Sequence, residues 1–168
     1  EQAVCDAVYL ADNGITIKAC EDANVGDTGV IDGVTYTVVD EAMLREMVEN
    51  EQDVTKLATT KVTDMKYMFY DATFNQPIGN WDVSNVTNMV YMFNNASAFN
   101  QDIGYRDVSN VTDMVVMFDG STAFNQPIGN WDGSNVTDMR GMFQNSQEFN
   151  QPMQNVDVTR GTESRYMF

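Results

Sequence analysis

One phrase is spelled five times in this chain. "VTDMKYMF", "VTNMVYMF", "VTDMVVMF", "VTDMRGMF" and "GTESRYMF" begin at residues 62, 86, 111, 136 and 161, at steps of 24, 25, 25 and 25. A period of this length marks a stack of units in which each contacts only its neighbours. The short first step is localised, because "YDATF" follows Phe69 where "NNASAF" follows Phe93. The first unit offers Met65, Met68, Phe69, Phe74, Ile78, Trp81 and Val83 for burial, at roughly 1.5–3 kcal/mol each. Fixing its backbone costs on the order of 1–2 kcal/mol per residue. One unit alone loses that balance, so stacking must make the fold.

Within a unit, "IGNWDVS" places Ile78, Trp81 and Val83 at the spacing of a short strand, Trp81 and Val83 inward and Asp82 outward. Repetition then predicts a stack of parallel strands. In "VTDMKYMF", Met65, Met68 and Phe69 follow the i, i+3, i+4 pattern of a helical face, which predicts one or two helical turns. Thr63 fits their N-cap. Val62 with Tyr67 reads as a hydrophobic staple, as do Val86 with Tyr91 and Val111 with Val116.

Residues 1–60 follow other rules. "AVYLADNGITIKA" alternates on both sides of Asn13-Gly14, and "TGVIDGVTYTVV" does so across Asp32-Gly33, so two hairpins are expected. Asp40 then caps a helix through Asn50, whose stripe of Met43, Leu44, Met47 and Val48 suits the open end of the first coil. The expected fold class is mostly β with short helices: a leucine-rich-repeat-like solenoid of parallel strands and short helical turns, preceded by a small hairpin module and a capping helix. The division is 1–39 for the hairpin module, 40–61 for capping helix and linker, and 62–168 for about four coils of 24–25 residues plus a partial fifth.

Composition removes several function classes. A formal charge of -16, from 25 acidic and 9 basic residues, repels phosphate backbones and anionic headgroups, so no nucleic-acid partner is expected. There is no histidine, which takes away the usual acid–base group, the Ser/His and Cys/His nucleophile pairs and the commonest zinc ligand. No enzyme is expected, and no cofactor is required. No apolar run is long enough to span a membrane, so no membrane insertion is expected. No charged-then-apolar leader opens the chain, which reads as processed or trimmed. Cys5 and Cys20 flank the first hairpin and are expected to form a disulfide.

The unit "FNQPIGNWDVSNVTNMVYMF" resembles the repeat of the BspA-like leucine-rich-repeat surface proteins, in the variant built on F-N-Q, W-D-V-S-N-V-T and M-F. The lead-in "YTVVDEAMLREMVENEQDVTKLATTKVTDM" and the opening "VYLADNGITIKA" resemble the segments before the first repeat in such proteins. The resemblance implies an exported bacterial protein, extracellular or at the outer cell surface, that acts in adhesion or in binding a protein or glycan, with no catalytic residues to carry over. A purely structural spacer or filament-forming segment of a larger adhesin is the second reading, and a calcium-dependent carbohydrate-binding module the third. This chain departs from the pattern at Gly133, at "YRD" 105–107 and at 156–165.

Candidate sites compete with the coil's own needs. Asp82, Asp107, Asp132 and Asp157 share one repeat position, which in stacked strands makes a carboxylate ladder spaced about 4.8 Å. Such a ladder could hold structural calcium, yet calcium wants 6–8 oxygens, and Asx-type bonding into the "DVSN" turn is the favoured reading. A second column, Asp64, Asn88, Asp113, Asp138 and Glu163, reads as helix N-terminal chemistry. Asn75, Asn100, Asn125 and Asn150, each followed by Gln, read as scaffold that satisfies backbone groups. The sequons at Asn85, Asn95, Asn110 and Asn135 match glycosylation acceptors, although three arise from the repeat itself. The methionines, Trp81 and Trp131 read as core. Arg160, Glu163, Ser164 and Arg165 only partly dress the last coil, so that coil is expected to continue in a longer chain or to pack on another molecule.

Overall fold

The computed structural model describes residues 4–153, 156, 167 and 168. Two hairpins open the chain. Strand β1 (Val8–Leu10) pairs antiparallel with β2 (Ile17–Ala19), Val8 opposite Ala19 and Leu10 opposite Ile17. The turn centres on Asn13-Gly14, where the Asn13 Oδ1 accepts from the N–H groups of Ile15 and Thr16, both at 2.9 Å, and Gly14 takes φ 73°. A disulfide joins Cys5 to Cys20 across this hairpin, with Cα atoms 5.9 Å apart. Strands β3 (Thr28–Ile31) and β4 (Val34–Val38) pair antiparallel through Asp32-Gly33. Both turn residues have positive φ, 49° and 80°, the type I′ geometry that matches strand twist.

Helix α1 (Glu41–Glu49) starts at Asp40, whose carboxylate accepts the Met43 N–H at 2.9 Å. Its Leu44 is fully buried, and Met43, Met47 and Val48 pack against the main core. Strand β5 (Leu57–Ala58) then lies parallel to β4. Two residues are too few to show alternation, so this strand carries no sequence signal.

The repeats correct the sequence reading. Neither the parallel strand expected at 78–84 nor the helical turns expected after Thr63 form; both segments are chains of tight turns. Met68 N–H donates to the Met65 carbonyl, Tyr70 to Tyr67 and Ala72 to Phe69, at 3.1–3.2 Å. Tyr67 and Asp71 sit at positive φ, 58° and 55°, as the third residue of successive four-residue turns. The intervening donors leave the repeat altogether: Met65, Tyr67, Phe69 and Asp71 donate to the carbonyls of Asn88, Val90, Met92 and Asn94 in the next repeat, at 2.9–3.0 Å. The second repeat does the same to the third through Met89, Tyr91, Phe93 and Asn95. A helix uses its N–H groups internally, so a chain giving every second one to its neighbour cannot be helical. The apolar spacing of 65, 68 and 69 belongs equally to a helix face and to two consecutive turns, which is why it misled. The parallel ladder falls on Asp64, Asn88, Asp113 and Asp138 rather than on the "WDV" segment.

All nine phenylalanines of the chain join one aromatic stack. Phe69, Phe93, Phe118, Phe143 and Phe168 follow one another at 5.2–5.6 Å, and Phe74, Phe99, Phe124 and Phe149 form a parallel file at 6.0–6.1 Å. The Asn and Gln columns clamp the outside. Asn100 N–H donates to the Asn75 Oδ1 at 2.9 Å, and the Gln101 side-chain amide reaches the same Asn75; Asn125 and Asn150 repeat the contact.

Candidate functional site: a cleft beside the first repeat

The backbone ladder has a beginning. Carbonyls of the first repeat have no earlier repeat to fill them, and Arg45 of α1 supplies donors in its place: Nη1 to the Lys66 carbonyl at 2.8 Å and Nη2 to the Asp64 carbonyl at 3.3 Å. Glu41, one turn earlier on α1, holds the guanidinium at 2.9 Å. Farther along the same edge, α1 and the first repeat part, and a cleft of about 710 Å³ opens between them. Val48, Glu49, Glu51 and Gln52 form one wall, and Tyr67, Met68 and residues 70–76 the other.

Aromatic and acidic groups stand in its lining beside neutral polar ones. Tyr67 and Tyr70 are 48% and 45% exposed and meet edge to face at 5.6 Å, and Tyr67 stacks on Tyr91 at 4.8 Å. Phe74 packs on Phe69 at 4.1 Å and forms part of the floor. Glu49, Glu51 and Asp71 face a single cation, Arg45, which is already engaged. The last turn of α1 holds no basic residue, so its negative end also favours positive charge. Tyr67 is therefore not the buried staple that its spacing from Val62 suggested. The available signal was Tyr70: the residues following "MF" in the later units are Asn94, Asp119 and Gln144.

The expected carboxylate column is used locally in the described repeats. Each Oδ1 of Asp82, Asp107 and Asp132 accepts the N–H of the serine two residues on, Ser84, Ser109 and Ser134, at 3.0 Å. Asp107 and Asp132 are exposed, whereas Asp82 is buried beneath β2. There Lys18 approaches at 3.2 Å and the Thr60 hydroxyl donates at 2.8 Å. Burial acts to raise the Asp82 carboxyl, but the Ser84 hydroxyl and N–H, the Thr60 hydroxyl and Lys18 outweigh it and hold it below the ordinary 3.8. Asp157 lies outside the described residues, as do Arg160, Glu163, Ser164 and Arg165. Among the described residues, no three His, Cys, Asp or Glu side chains gather to hold a metal ion.

The second column makes Asx turns in place of helix caps. Asp64, Asn88, Asp113 and Asp138 each accept the N–H two residues on, at 2.9–3.1 Å. Three of the four sequon asparagines are also occupied: the amides of Asn85, Asn110 and Asn135 donate to carbonyls of Thr60, Ser84 and Ser109, one repeat back. Arg106 is the departure with a structural consequence. It stands in the column of Trp81 and Trp131, whose indoles donate to the carbonyls of Val54 and Ile103, and its Nη2 donates to the Ile78 carbonyl in the same manner.

Fold and site together define a repeat protein, mostly β-bridge and turn with one short helix among the described residues, built on an aromatic stack and opening an acidic, tyrosine-lined cleft at its first repeat. The chain belongs to the family described as Mycoplasma protein of unknown function, DUF285, whose model matches residues 37–120 and again 74–168. The two overlapping matches span the helix, the cleft and the repeats. No curated protein and no solved structure matches the chain.

Proposed function

We propose that this chain is a non-enzymatic, leucine-rich-repeat-like solenoid, exported to the cell surface, that binds a protein or glycan partner through the cleft beside its first repeat. One observation carries this function: two half-exposed tyrosines and a run of acidic groups face a ligand-sized opening where the repeat ladder is incomplete. Half-exposed aromatic faces in a concavity are the usual anchors of recognition surfaces. The Cys5–Cys20 disulfide suits an oxidising compartment outside the cytoplasm.

The test is a screen of immobilised host-surface proteins and glycans against the wild-type chain and a Tyr67→Ala/Tyr70→Ala double variant, with and without calcium. The proposal expects a binder that the double variant loses and that chelation leaves untouched. A chain that binds nothing is a spacer, and binding lost on chelation is a calcium module.

A further inference from the structure

We propose that the cleft takes an arginine side chain presented by a basic segment of a partner protein, seated on the backbone carbonyls of Met68 and Tyr70. The inference rests on the binding function above and narrows it to the chemistry of the partner. In the second repeat, the carbonyls of Asn88, Val90, Met92 and Asn94 each accept an N–H from the first. Their counterparts one period earlier are Asp64, Lys66, Met68 and Tyr70. Arg45 fills the first two. Among the described residues, the carbonyls of Met68 and Tyr70 accept no hydrogen bond, and both residues line the cleft.

The molecule itself shows which group suits this edge. A guanidinium bridges the carbonyls of Asp64 and Lys66, two residues apart, and the open pair has the same separation and continues the same edge. The fork of arginine presents donors in a fixed plane that an ammonium lacks. Charge selects in the same direction: Glu49, Glu51 and Asp71 line the same cleft, and the end of α1 adds its negative pole. Tyr70 offers a half-exposed ring in the cleft lining for the guanidinium to stack on. A neutral sugar would use the rings but gain nothing from the three exposed carboxylates of the cleft, which attract a cation.

The test titrates the full chain at low salt with an acetylated, amidated Gly-Arg-Gly-Arg-Gly peptide and its lysine and citrulline counterparts, read from amide and carbonyl shifts. The arginine peptide is expected to bind about tenfold or more tightly than either counterpart, with shifts centred on Tyr70, Asp71 and Ala72. Combining Glu49→Gln, Glu51→Gln and Asp71→Asn should weaken it about tenfold, while Glu148→Gln, on a later repeat, should not. Equal binding of the arginine and citrulline peptides, equal binding of the lysine peptide, or shifts outside the cleft would each overturn the assignment. A neutral oligosaccharide panel in the same titration separates the two levels of inference. Sugars that move Tyr67 and Tyr70 while the arginine peptide does not would keep the cleft and remove the arginine. Silence from both would remove the cleft as well.

Discussion

Arg106 occupies an indole position at the cost of burying a charge. It is 6% exposed, its Nε has no hydrogen-bond partner, and its guanidinium lies 6.0 Å from the Trp81 ring centroid. Burial pushes it down to about 9, with Asp102 acting in the opposite direction, so it stays charged at neutral pH. A tryptophan would keep the donor to the Ile78 carbonyl and remove the buried charge. Arg106→Trp should therefore stabilise the chain by about 1–2 kcal/mol, seen as a rise in melting temperature; a fall would mean that the site cannot accept the indole. Asp82 works the other way. Its folded value lies below the ordinary 3.8, so the stability it lends is complete above that value and is lost as pH falls through the lower, folded one. Melting curves of wild type and Asp82→Asn should be separated at neutral pH and converge in acid below 3.8. A gap that persists at low pH would show that the carboxylate charge is not what ties β2 to the first repeat. The Asx role of this column could be read from "DVSN" alone, because the bond runs only two residues. Burial of Asp82 could not, because it depends on Lys18 and Thr60 arriving from distant sequence.

Elements whose signals are local were legible, and elements made by pairing between repeats were not. Asn13-Gly14, Asp32-Gly33 and Asp40 each act through their own turn or cap, and each stands where its sequence placed it. The turns of the repeats take their identity from donors sent to the next unit, which no single window displays. Those turns hold non-glycine residues at positive φ, Tyr67, Tyr91 and Val116, at a position where the fourth repeat has Gly141. A β-branched residue suits that conformation worst. Val116→Asn should relieve about 1 kcal/mol of strain and raise the melting temperature; a decrease would show that contacts of the valine methyls outweigh the backbone. The start of the ladder makes a second prediction. Arg45→Met keeps the apolar stem over the first repeat but removes both donors to the carbonyls of Asp64 and Lys66. A loss of about 1–2 kcal/mol is expected in denaturant unfolding, and no loss would mean that water serves those carbonyls equally well.

The described repeats form a stack whose first edge is only partly closed. Its period, its aromatic core and the covering of the first repeat by α1 followed from the sequence, because apolar spacing and repetition report burial directly. The cleft did not, since it is made by α1 and the first repeat diverging, a property of how two elements meet. Calcium should add nothing at this scale: with the Oδ1 of Asp82, Asp107 and Asp132 held by their own turns, the melting temperature in calcium should equal that in magnesium at the same ionic strength. A calcium-specific rise would return the carboxylate column to the list of sites. The central claim is that alternate N–H groups of each repeat are given to the next, which leaves the first repeat with open acceptors. Scalar couplings across hydrogen bonds measure this directly by NMR. The Tyr91 nitrogen should couple to the Val115 carbonyl and the Phe93 nitrogen to that of Met117, while no protein nitrogen couples to the Tyr70 carbonyl. Coupling of Tyr91 to Thr87, the helical partner four residues back, or an N–H already seated on Tyr70, would contradict the account.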